Sequence, residues 1–179
     1  MGIILSAPLA AAAPSADAAT LEASAVQPPE LKWIEEGFYL NLGTAPGAAF
    51  RLDGFNPMIR YDAEVGMRWT RGRSSVSFGA NPWILQRLEA PGATGGLLGV
   101  VSLRHRNIYT RAGAGVLIGP PGSPNDRDVR SAVAGLVGFG LESRGEHVRG
   151  RFGFDYVASY DKAGRVNNTV FFVLALRFG

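Results

Sequence analysis

Nine ionisable residues could act together in this chain: Arg60, Asp62, Glu64, Arg68, Arg111, Glu142, Arg151, Asp155 and Arg177. Each lies in a stretch that reads as extended chain, on the same face as glycines and other small residues. Carboxylates and guanidinium groups confined in this way have two uses. They can pair into a salt-bridge network that fills the space. Alternatively, Asp62, Glu64 and Asp155 can titrate beside Arg60, Arg68 and Arg151 and form a narrow proton or ion path. Eight strands enclose scarcely more than side-chain volume, which favours the filled network.

Other chemistry is poorly supplied. Cysteine is absent, so there is no thiol nucleophile, disulfide or cysteine metal site. His105 and His147 are the two histidines, both beside short turns, with no serine clearly placed next to either at the far rim and no metal-ligand spacing. The expectation is a protein that is not an enzyme and holds no cofactor or metal.

The elements that place these charges are strands. Ile59, Tyr61, Ala63, Val65, Met67 and Trp69 alternate with Arg60, Asp62, Glu64, Gly66, Arg68 and Thr70, a period of two that a helix does not produce. The same pattern predicts strands near 37–44, 75–84, 97–104, 108–118, 132–142, 151–160 and 169–178. Loops are expected at 45–57, 89–96, 119–130 and 161–168, where Gly, Pro, Asn and Asp collect, with short turns between them. Pro82 marks a bulge or the upper end of its strand. Long and short connections in strict alternation are what an up-and-down barrel with free outer loops would show.

The apolar face is the informative one. A water-soluble barrel points its large apolar side chains inward and its ions outward. Here the ions share a face with glycines, which add nothing to a solvent face but leave room for arginines in a narrow lumen. The opposite face, with Tyr61, Trp69, Phe152, Tyr156, Tyr160 and Phe178 toward strand ends, suits lipid. At 179 residues with 46% hydrophobic content, no apolar run is long enough for a spanning helix. A soluble ligand-binding β-barrel is the alternative.

Charge excludes little else. The net charge of +3 comes from arginines spread through the strands, so the high pI is no sign of nucleic-acid binding. Arg71, Arg73, Arg104, Arg106 and Arg144 gather at short turns, either solvated or facing anionic headgroups.

The last strand, TVFFVLALRF, puts Val170, Phe172, Leu174, Leu176 and Phe178 on one face and ends on Arg177 and Phe178 before Gly179. It resembles the terminal strand of bacterial outer-membrane β-barrels. Over 37–178 the strand plan is similar to the small eight-stranded members, the OmpX-like and OmpA transmembrane-domain types. Val173 stands where that family's terminal signal prefers glycine. The resemblance implies an antiparallel up-and-down transmembrane barrel with both termini on the periplasmic side, embedded in outer-membrane lipid. It also implies that Phe172, Leu174, Leu176 and Phe178 are read by the barrel-assembly machinery. Residues 1–19, with a short apolar core and an Ala16-Asp17-Ala18 site, read as a secretory signal peptide. Residues 20–36 read as a linker or short periplasmic helix, and 37–179 as the barrel. The expected role is structural or interactive in the outer membrane, with a charged, plugged lumen. A narrow porin-like pore is the competing role. Nothing in the outer loops identifies a protein partner.

Overall fold

The computed structural model describes residues 32–51, 54–88, 93–118, 132–143, 145, 147–161 and 166–179. They form eight antiparallel strands, β1 (Ile34–Arg51), β2 (Gly54–Arg71), β3 (Ser74–Arg87), β4 (Ala93–His105), β5 (Ile108–Ile118), β6 (Ala132–Glu142), β7 (Val148–Asp161) and β8 (Val166–Phe178). Each strand pairs with its neighbour in sequence, and β1 pairs with β8 to close the barrel. The closing register runs from Leu40 opposite Phe178 to Phe50 opposite Asn168. Closure gives every strand a partner on both sides.

The first hairpin departs from expectation. Residues 45–51 and 54–57 are strand rather than part of a long loop, and the strand bounds leave only 52–53 between β1 and β2. The strict alternation of long and short connections therefore fails at its first member. Residues 119–131 between β5 and β6 remain the longest connection. Strand β1 also begins early, so Ile34, Glu35 and Glu36 are strand and not linker or helix. The segment 1–31, including the expected signal peptide, lies outside the described residues.

Prolines explain why the first hairpin was hidden. Proline removes a ladder donor, but only toward one neighbour. Pro46 keeps its place opposite Ile59 in β2, while the β1–β8 register lapses between Thr44 and Gly47. Pro57 pairs with Ala48 in β1 and lies beyond the last β3 partner, which is opposite Met58. Pro82 stays opposite Leu97 in β4, while the β2–β3 register lapses between Asp62 and Val65. In that gap the Asn81 side chain supplies the missing donor: its Nδ2 donates to the Ala63 carbonyl at 2.8 Å, and Asn81 is fully buried. Asn81→Ala should strand that carbonyl and cost about 1–3 kcal/mol, read as a lower urea midpoint of the refolded barrel.

The faces sort as the alternation requires. Phe38, Phe78, Phe139, Phe154 and Leu174 point outward and are exposed, Phe38 by 75%. Inward positions are buried, and they divide into two storeys. Toward the two-residue turns at 72–73 and 106–107 the interior is ionic. Toward the opposite end it is apolar, built from Met58, Trp83, Leu98, Leu117, Leu136, Val157, Phe171 and Val173. The lumen is thus not charged throughout, as the ions alone suggested.

Candidate functional site

The ionic storey brings all nine expected residues together inside the barrel. Period two on β2 sends Arg60, Asp62, Glu64 and Arg68 inward, and β5, β6, β7 and β8 add Arg111, Glu142, Arg151, Asp155 and Arg177. Each is at most 5% exposed.

Three carboxylates organise the arginines. Asp155 is held by both oxygens: Arg111 donates Nε to Oδ1 at 2.9 Å and Nη2 to Oδ2, the two-pronged contact that guanidinium geometry favours. Arg60 donates Nη2 to the same Oδ2 and Nε to Asp62 Oδ2 at 3.0 Å. Glu64 accepts from Arg111 at 3.2 Å, Arg151 at 3.4 Å and Arg177 at 3.5 Å, and from the Tyr39 hydroxyl at 2.6 Å. Glu142 is the most shared. Arg177 lies at 3.1 Å, Arg68 and Arg104 at 3.4 Å, Arg151 at 3.5 Å and Arg149 at 3.8 Å. Burying these charges is costly alone and tolerable because Asp155, Glu64 and Glu142 each meet several donors, while Asp62 takes one from Arg60 and its Oδ1 accepts none.

Aromatic rings complete the packing. The Arg177 guanidinium lies 4.0 Å from the Tyr39 ring centre and Arg151 lies 4.2 Å from that of Tyr109, within cation–π range. Arg60 sits 4.6 Å from Phe171 and 5.8 Å from Trp83, where the ionic storey meets the apolar one. The inward glycines provide the room. A Cβ on Gly79 would stand 2.6 Å from the Tyr39 hydroxyl, one on Gly153 2.6 Å from that of Tyr109, and one on Gly138 2.1 Å from Asp155 Oδ1.

Three features escaped the sequence. The apolar storey is one, although its signal is there: β2 runs inward from Glu64 through Asp62 and Arg60 to Met58, and β3 from Ser77 through Asn81 to Trp83. Arg104 reads as a turn residue and Arg149 carries no local signal, yet both reach Glu142. Ser74 and His105 are cross-strand partners, with Oγ and Nδ1 2.9 Å apart. That pair sits at the turn end, and among the described residues no carboxylate hydrogen-bonds to the imidazole, so it lacks the third group that orients a catalytic histidine. Among the described residues no group of three or more His, Asp or Glu is arranged to hold a metal.

An up-and-down barrel with ions inside and large apolar side chains outside is the fold of the small eight-stranded outer-membrane barrels. Among solved structures, Neisserial surface protein A (NspA), an eight-stranded outer-membrane barrel, is similar to this chain. The TM-score is 0.50 at 14% identity, covering 81% of this chain and 98% of that one. No family model matches the chain, and no curated protein matches it in sequence.

Proposed function

We propose that this chain spans the bacterial outer membrane as a closed barrel with a structural or interaction role, and that its lumen passes no solute. The observation that carries this reading is the inversion of faces. Arg60, Arg68, Arg151 and Arg177 are 1–2% exposed, while Phe139 is 61% and Val133 66% exposed. Water would reverse that arrangement, and only hydrocarbon outside makes it favourable. Ladder closure satisfies the backbone, as lipid demands.

The termini are assigned to the periplasm. The start of β1 and the end of β8 lie at the end that carries the turns at 72–73 and 106–107, and the longest connection, 119–131, leaves from the opposite end. Phe172, Leu174, Leu176 and Phe178 form the outward row of β8, with Leu174 and Leu176 exposed. That row suits both lipid and recognition by the assembly machinery before closure.

The chain refolded in detergent should run at a different mobility on a denaturing gel before and after boiling, with a β circular dichroism spectrum that appears only in detergent. In planar bilayers it should give no discrete current steps, because the paired ions close one storey and Trp83, Leu98, Leu136 and Phe171 close the other. A folded, monodisperse protein in plain buffer would overturn the membrane assignment. Regular single-channel steps would overturn the plugged lumen and favour the narrow pore.

A further inference from the structure

We propose that the turn-end mouth of the barrel binds a phosphate-type oxyanion. A pocket of about 260 Å³ opens there, lined by Gly72, Arg73, Arg104, Arg106, Gly145 and Arg149. The described side chains that line it are all arginine, and none of the described lining residues is a carboxylate. Gly72 has a φ of 59° and Arg106 one of 56°, so both tight turns use left-handed backbone. The Arg106 amide donates to the Arg73 carbonyl at 2.8 Å, which fixes the two turns side by side.

The storey beneath points the same way. Glu142 is a single negative charge shared by Arg68, Arg104, Arg149, Arg151 and Arg177. Two of those five, Arg104 and Arg149, also line the pocket. Buried donors around this carboxylate are left without a hydrogen bond: Nε of Arg68, Nη2 of Arg151 and Nε of Arg177 make none, and Nη1 of Arg149 and Nε of Arg151 reach Glu142 only as ion pairs at 3.8 and 3.5 Å. Arg68, Arg151 and Arg177 are at most 2% exposed. Guanidinium donors left without a hydrogen bond are costly in a confined place where arginines outnumber the carboxylates that hold them. A phosphate group, with its several acceptor oxygens, matches the guanidinium fork and supplies the missing charge. The phosphate is either free or carried on a lipid headgroup. This goes beyond the barrel role, which needs no ligand.

The test uses the full chain refolded in zwitterionic detergent, titrated calorimetrically with inorganic phosphate and then pyrophosphate at constant ionic strength. Saturable binding is expected. A variant carrying Arg73→Gln and Arg106→Asn should bind at least tenfold more weakly. Both positions are exposed, and Asn tolerates the left-handed backbone at 106. Retained heat modifiability in the variant separates loss of the site from loss of the barrel. In a second arm, phosphatidylglycerol is added to the micelles. If it suppresses phosphate binding to the wild-type chain and stabilises that chain more than the variant, the headgroup is the source. If phosphate binding is unchanged, the free anion is the source. Equal binding by both chains, or no response to phosphate or phosphatidylglycerol, would overturn the proposal.

Discussion

Glu142→Gln should destabilise the refolded barrel by about 3–5 kcal/mol, the usual cost of removing one partner from a buried charge network. Five arginines converge on this carboxylate, and although Glu36 also holds Arg68 and Glu64 also holds Arg151 and Arg177, Arg104 and Arg149 pair with no other acid among the described ion pairs. Glutamine keeps the volume but turns an NH2 group toward guanidinium donors and leaves their mutual repulsion unopposed. Urea titration in lipid vesicles would report the loss as a lower midpoint at unchanged slope. Adding Arg104→Gln to Glu142→Gln should recover part of it, since these residues are coupled through direct contact. A loss below about 1 kcal/mol would show that solvent or an ion already compensates the arginines.

Phe154→Arg should cost about 2–4 kcal/mol in the same vesicle assay, because the side chain would meet hydrocarbon near the middle of β7. Phe154 packs against Phe139 at 6.1 Å and Phe172 at 5.4 Å between ring centres, in the outward belt. The matching change near the turn end, Val148→Arg, should cost only about 0–1 kcal/mol. This depth dependence separates lipid from water around the barrel. If the surface faced water, both substitutions would fall within about 0.5 kcal/mol of neutral, as exposed positions usually do. The first experiment examines the inside of the barrel, the second its outside.

Much of this arrangement could be read from local alternation. On β2, β5, β6 and β7 the inward and outward sets follow directly from period two, since one slip in register would turn every inward charge to the outer surface; β4, with Leu97 and Leu98 on opposite faces, is less cleanly polarised. The ionic set was legible for the same reason: Arg60, Asp62, Glu64 and Arg68 share one face of one strand. What alternation could not supply was pairing. Pro46, Gly47 and Pro57 carry the local signature of a loop, and only the register with Ile59 and Ala48 shows how a strand accommodates them. The fivefold sharing of Glu142 was equally out of reach. It depends on residues from β2, β4, β7 and β8 meeting across the lumen, and sequence spacing says nothing about that distance. Arg149 had the further disadvantage of preceding the clear alternation of β7, next to a short turn.

The seam between β1 and β8 has a consequence for the order of folding. Every other ladder joins strands adjacent in sequence and can form by extending a hairpin. Leu40 and Phe178 meet only after the whole intervening chain is in place. Closing so long a loop is the largest entropic step in the assembly and brings no reward until both strands align. Glu64 on β2 and Glu142 on β6 both bind Arg177 of β8, so the ionic network is also unfinished until that moment. Substitutions at Arg177 should therefore slow closure itself, while those confined to the β4–β5 hairpin should act mainly on the rate at which the finished barrel reopens.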